Sequence, residues 1–129
     1  MIVQGLINPL IASLLCRVRH TNMLVLADAA FPFWPQIETV DIALVKGVPT
    51  LLQTLGAILP NFLAGEIYMA EEFNAHNGAA TRNAFAAACG KVPITFEPHL
   101  EFKKKVPRAI GLIRTGDTTM YGNLILVSA

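Results

Sequence analysis

Apolar residues recur along this chain in two rhythms. After Asn8-Pro9, which reads as an N-cap with proline at the first helical position, Leu10, Ile11, Leu14, Leu15 and Val18 share one face at helical spacing. That spacing predicts a helix stopping near Arg19. The next segment, MLVLAD (23–28), is a continuous apolar run bounded by polar residues, as expected of a strand buried on both faces. Prolines 32 and 35 remove donors and fix φ, so AAFPFWPQ (29–36) is a loop. IETVDIALV (37–45) reads as partly extended, and Pro49 opens a helix through TLLQTLGAIL (50–59), with Pro60 just past its end.

Further strands are predicted at GEIYMA (65–70), VPITFE (92–97), AIGLIRT (109–115) and NLILVSA (123–129). Glu71 and Glu72 suit a first helical turn, where carboxylates complement the dipole. AATRNAFAAACG (79–90) is helical with Gly90 at C′, HLEFKKKV (99–106) is a short helix, and GDTTMYGN (116–123) has turn chemistry. Strands alternating with helices imply one α/β domain over residues 1–129, a mostly parallel sheet flanked by helices.

Composition narrows the function classes. Of 129 residues, 53% are hydrophobic and only 15% charged, with net charge +1. No basic stripe is available for phosphates, so no nucleic-acid partner is expected; the densest positive run, EFKKKVPR, reads as a solvated helix face. Mean hydropathy is +0.50, which points to a membrane segment or to extensive subunit contacts. The longest apolar region is interrupted by Pro49, Gln53, Pro60, Asn61 and Glu66, too often for a span. The N-terminus has neither a basic n-region nor a small-residue cleavage site. These features predict a cytoplasmic homo-oligomer. Cys16 and Cys89 lie in apolar helical patterns and read as free buried thiols.

The chemistry available is acid/base. His20, His76 and His99 have no i, i+3 or i, i+4 partner, the serines lack a nucleophile-elbow context, and no glycine-rich nucleotide fingerprint occurs. Neither a metal nor a cofactor is therefore expected. Ligands of an open α/β sheet gather outside the carboxyl ends of the strands. Asp28, His99 and the Tyr121-Gly122-Asn123 turn all stand at such ends and are expected to converge. His20 precedes the MLVLAD strand and is separated from Asp28 by roughly 26 Å of extended chain. Either the chain folds back around it, or it serves another subunit's cleft. Plainer readings stay open: His20 as a capping residue, Asp28 as a turn cap, Tyr121-Gly122-Asn123 as a tight turn using positive φ at Gly and Asn, and Phe31 and Trp34 as core or interface anchors. His76 and Asp117 have no context that singles them out.

Taken together, Arg-His-Thr at 19–21, LVLADA at 24–29, Phe-Pro at 31–32, Gly-Val-Pro at 47–49, H-x-x-F-K at 99–103 and I-R-T-G-D-x-x-x-Y-G-N at 113–123 resemble the family of D-ribose pyranase and L-fucose mutarotase. The resemblance covers nearly the whole chain. It implies a cofactor-independent isomerase that interconverts the anomers, or the pyranose and furanose forms, of a free monosaccharide through the open-chain aldehyde. It also implies a ring-shaped decamer of two pentamers with clefts between subunits. In this likeness His20 is the proton donor, Asp28, His99, Tyr121, Gly122 and Asn123 form the sugar-binding set, and the Tyr121 hydroxyl is a second group able to transfer protons. Histidine suits the task because its ordinary pKa near 6.5 lets it give and take protons near neutrality.

Departures leave the sugar open. His99 is ribose-like where the fucose branch tends to have arginine, whereas Tyr121-Gly122-Asn123 and Phe31-Pro32 are fucose-like. Arg19 stands where glycine is usual. Two further readings are a sugar-binding or regulatory protein associated with monosaccharide transport, and a structural oligomer with a degenerate cleft.

Overall fold

The computed structural model describes residues 1–129. Six strands, β1 (Met23–Ala27), β2 (Glu38–Asp41), β3 (Ala64–Ala70), β4 (Ile94–Glu97), β5 (Gly111–Arg114) and β6 (Leu124–Ser128), form one sheet in the order β2-β5-β1-β6-β3-β4. β2, β5 and β1 pair in parallel, as do β3 and β4. β6 runs antiparallel to both β1 and β3, so the other five strands share one direction. The mostly parallel α/β arrangement expected from the alternation is thus present, with the last strand reversed. Five helices accompany it: α1 (Pro9–Cys16), α2 (Leu51–Ile58), α3 (Glu72–His76), α4 (Ala79–Cys89) and α5 (His99–Lys105).

Side-chain alternation along the central strands explains their continuous apolar runs. Leu24 and Leu26 of β1 join Ile67, Met69, Ile113, Leu124 and Leu126 beneath α1, α2 and α4. Val25 and Ala27 point the other way, to Ile125, Phe31 and the Phe102 and Val106 side chains of α5 and the turn after it. Both faces of the central sheet are covered, so neither calls for polar residues.

Local chemistry places the helix starts. The Asn8 side chain accepts hydrogen bonds from the Leu10 and Ile11 amides at 3.0 and 3.1 Å, with Pro9 at the first position. Thr50 caps α2 in a reciprocal box with Gln53, so Pro49 precedes the cap and does not itself open the helix. α1 stops at Cys16, short of Arg19, because the Arg17 and Val18 amides turn back to the Leu14 and Leu15 carbonyls, both at 3.1 Å, and the Arg19 guanidinium bonds the Cys16 carbonyl at 3.0 Å. That early end leaves Cys16 exposed, contrary to expectation. Cys89 is buried, and burial pushes its thiol up to about 11. Gly90 ends α4 with φ +61°. Nor is the lysine run simply a solvated face: Lys105 pairs with Glu97 at 2.6 Å, both largely buried, and lies over the Tyr68 ring.

No helix is long and apolar enough to cross a membrane. Several large apolar side chains are nonetheless exposed, among them Phe33 (76%), Leu44 (77%), Leu63 (78%) and Leu100 (70%).

Leu14 is fully buried in the larger layer. Leu14→Ala is expected to lower the unfolding free energy by about 3 kcal/mol, the range for a large-to-small core change that leaves a cavity. Urea denaturation at a fixed protein concentration, which holds any self-association constant, provides the check.

Candidate active site

Because five strands run the same way, their carboxyl ends and the start of β6 lie along one edge of the sheet. Asp28 follows β1, Glu72 to Asn77 follow β3, His99 follows β4, and Thr115 to Asn123 join β5 to β6. The structure therefore brings Asp28, His99, Tyr121, Gly122 and Asn123 together, as the strand order requires.

At the end of β1, the Asp28 amide donates to the Asn123 side-chain oxygen at 2.7 Å, and the Asp28 carboxylate accepts from the Ala30 amide at 2.9 Å. Asn123 is 3% exposed, and its side-chain oxygen is spent on holding this turn. Burial raises the Asp28 pKa above its ordinary 3.8; the Ala30 amide and the Asn123 side chain oppose the rise, and the Asp117 charge adds to it.

His99 is the first residue of α5. Its amide donates to both carboxylate oxygens of Glu72 at 3.1 Å. Its ring stands edge-on to Tyr121, with centroids 5.1 Å apart at 86°, and packs against Phe102 at 5.9 Å. The ring nitrogen Nε2 is buried without a hydrogen-bond partner. Burial lowers the His99 pKa from 6.5, the Lys103 charge lowers it further, and the charges of Glu72 and Asp28 push it back up. His99 is thus held toward the neutral form, with a polar atom unpaired where an unsatisfied buried group costs about 1–3 kcal/mol. Such an arrangement suits a ligand hydroxyl better than it suits the fold.

Tyr121, and not Gly122 or Asn123, takes the left-handed conformation in its turn, with φ +55°. Gly122 is closely packed: a Cβ there would lie 3.1 Å from a Leu51 methyl and 3.3 Å from Phe85 and Thr119, so those neighbours would have to give by a few tenths of an ångström. A cavity of about 620 Å³, within the usual range for small-molecule sites, opens beside Asp28, Ala29, Leu44, Arg114, Asp117 and Met120. Asp28 is common to this cavity and to the His99–Tyr121 group. No three His, Cys, Asp or Glu side chains gather closely enough to hold a metal ion.

His20 is not among these residues. It lies at the opposite edge, in a turn ahead of β1 that is tied to the end of β6. The Thr21 amide donates to the Ser128 carbonyl at 3.0 Å, and the Ser128 amide to that of Asn22 at 2.9 Å. Asn22 also accepts from the Arg19 amide at 2.7 Å, and Thr21 carries φ +67°. Arg19 itself avoids the left-handed region, so the turn makes no demand for glycine at that position. His20 stands exposed on a braced turn, and the chain does not fold back to place it beside Asp28.

Sequence reasoning missed Asp117. Its buried carboxylate accepts from the Leu51 amide at 2.7 Å and the Thr119 amide at 2.6 Å, while its carbonyl accepts from the Ala29 amide at 2.9 Å. The available signal was an acid placed directly after Thr115-Gly116. A side chain at Gly116 would collide with the carbonyls of Val45 and Val48, so glycine is needed for that approach.

Comparison with known proteins identifies the lineage. The model of the RbsD / FucU transport protein family matches residues 1–129. The chain belongs to this family. It is 37% identical to the D-ribose pyranase of Geobacillus thermodenitrificans over 97% of its own length and 94% of the relative's. It is 38% identical to the D-ribose pyranase of Chromobacterium violaceum, over 97% and 95%. Among solved structures, Bacillus subtilis RbsD complexed with D-ribose superposes with TM-score 0.92 at 28% identity, covering 100% of this chain and 98% of that one. The fucose mutarotase of Streptococcus pneumoniae, solved with L-fucose, shares the fold with TM-score 0.78 at 20% identity, over 95% and 92%.

The electrostatics predict the titration of His99. Its imidazole resonance, followed by proton NMR, should titrate with a midpoint below 6.5; Asp28→Asn should move the midpoint further down by removing a negative charge, and Lys103→Met should move it up. With the folded pKa depressed, the His99 contribution to stability is present above the unfolded value and lost as pH falls through the folded one. Asp28 has the opposite sense: its contribution is present below 3.8 and lost as pH rises through its raised value.

Proposed function

We propose that this chain is a sugar isomerase that opens and recloses the ring of a free monosaccharide by general acid/base catalysis, with D-ribose as the preferred sugar. The observation that carries this reading is the buried, unpartnered Nε2 of His99, set beside Tyr121 and within the field of Asp28 at the carboxyl edge. Ribose is favoured over fucose by identities of 37% and 38% to proteins named D-ribose pyranase and by the ribose-bound relative. The Tyr121-Gly122-Asn123 turn and Phe31-Pro32 remain the fucose-like elements.

Ring opening breaks the bond between C1 and the ring oxygen. A proton leaves the anomeric hydroxyl as C1 becomes the aldehyde, and a proton is delivered to the departing ring oxygen. Reclosure reverses these transfers, on either face of the aldehyde or through a different chain hydroxyl, which yields the other anomer or the other ring size. The C1–oxygen bond breaks within the sugar itself, and the two protons that move can be exchanged with side chains. Asp28 and Asn123 orient hydroxyls, His99 in its neutral form accepts from one, and Tyr121 supplies an O–H within the same group.

His20 is assigned as the proton donor. One chain places it at the far edge of the sheet, so it serves the cleft of a neighbouring copy. Support comes from the braced, exposed turn and from the exposed apolar residues Phe33, Leu44, Leu63 and Leu100, which self-association would cover. A cytoplasmic decamer of two pentameric rings is the assembly we favour.

Saturation-transfer NMR of anomeric exchange, with D-ribose and L-fucose, tests the proposal. Wild-type protein should accelerate exchange, ribose more than fucose, and His20→Ala should slow it by on the order of 10²–10⁴-fold. Co-expressed His20→Ala and Asp28→Asn subunits should recover about a quarter of the wild-type rate, since random mixing in a closed ring completes that share of the clefts. No recovery would place His20 and Asp28 of each cleft on one chain. Binding of sugar without exchange would instead mark a sugar-binding protein.

A further inference from the structure

Three groups that the sequence did not connect surround the His99–Tyr121 pair, and all belong to one short segment after β3. Glu72 accepts the His99 amide on both carboxylate oxygens. His76 packs its ring against Tyr121, with centroids 5.1 Å apart at 36°. Asn77 donates its side-chain amide to the Met120 carbonyl at 2.9 Å and to the Phe73 carbonyl at 2.8 Å.

The Met120 carbonyl belongs to the peptide group whose nitrogen is that of Tyr121. Fixing that peptide plane fixes the reference from which the Tyr121 φ of +55° is set. A left-handed conformation at a residue with a Cβ costs about 1–2 kcal/mol, and persists where surrounding contacts over-determine it. Asn77 ties that peptide to α3 through Phe73, which is 1% exposed and anchored in the larger core layer. The Tyr121 ring then lies between two imidazoles, with His99 edge-on and His76 tilted across it.

We propose that the segment from Glu72 to Asn77 is a positioning bracket for the His99–Tyr121 pair: Asn77 fixes the Met120–Tyr121 peptide, His76 backs the Tyr121 ring, and Glu72 holds the first residue of α5. The bracket rests on the reading of His99 and Tyr121 as sugar-facing groups. Its residues act through that pair, and their effect is geometric.

The test uses the full chain in its native assembly, with Asn77→Ala, His76→Ala and His76→Phe. Two quantities are measured: D-ribose anomeric exchange, and the His99 imidazole Hε1 resonance at a fixed alkaline pH. That resonance feels the ring current of Tyr121 and requires no turnover. Asn77→Ala and His76→Ala should each lower kcat/KM by about tenfold, within the cost of misplacing a reacting group by a fraction of an ångström, and should shift the His99 resonance. His76→Phe, which keeps a ring against Tyr121, should restore most of the exchange and return the resonance toward its wild-type position. His76 is exposed, so its truncation leaves the core intact and decides the matter even if Asn77→Ala folds poorly.

Wild-type exchange and an unmoved resonance in both alanine variants would overturn the bracket. So would a His76→Phe protein as slow as His76→Ala with the resonance in place, because the imidazole's own chemistry would then be what matters. Absence of exchange in the wild-type protein would instead sink the functional reading, while the resonance in Asn77→Ala would still judge the bracket.

Discussion

The carboxyl edge of the sheet is organised by one buried anion. Asp117 is 6% exposed, yet its carboxylate is satisfied by the first amide of α2 and by the Thr119 amide, and its carbonyl takes the Ala29 amide. Three segments distant in sequence, the loop after β1, the start of α2 and the β5–β6 connection, are joined at that residue. Two backbone amides, one of them in the first turn of α2, meet the hydrogen-bonding needs of that carboxylate. Gly116 permits the approach, and the Thr115 hydroxyl donates to the Ala27 carbonyl at 2.8 Å, linking the same connection to the end of β1. Asp28 and Asn123 are placed by this knot.

A consequence is electrostatic. Asp117 and burial both work against the ionised form of Asp28, and burial works against the charged form of His99. The two groups are pushed toward each other's range from opposite sides, while the Asp28 charge still partly offsets the fall at His99. Perturbed titratable groups facing one cleft are candidates for functional chemistry, and here two of them share an edge. Lys103 adds to the effect at His99, so the charged end of H-x-x-F-K shapes this site even though most of the lysine run serves packing and surface ion pairs.

What could be read along the chain was what local physics decides. β1 and β5 showed as uninterrupted apolar runs because both faces of the sheet are covered, and Asn8-Pro9 marked the start of α1 because capping involves only neighbours. The end of α1 was not legible: Val18 continues the apolar spacing, but the Arg17 amide and the Arg19 side chain close the helix at Cys16. Nor was the reversal of β6, since a doubly buried strand has the same pattern in either direction. The convergence of Asp28, His99 and Tyr121 followed from strand ends alone. The roles of Asp117 and Asn77 did not, because their partners lie 66 and 43 residues away.

His20 is the one candidate site residue that its own chain holds away from the cleft. The sheet's direction sets it opposite the cleft, and its turn is braced by four hydrogen bonds to Asn22 and Ser128 that fix the backbone while leaving the imidazole outside. A capping histidine would be expected to make such bonds itself; here the neighbours make them and the ring makes none of them. The same chain exposes large apolar side chains beside the carboxyl edge, at Phe33 and Leu44 on loops and Leu100 in the first turn of α5. Burying that surface against another copy lowers the free energy whether or not a histidine accompanies it. The fold holds His20 away from the cleft of its own chain, so the proposed role of this residue as proton donor requires a second copy.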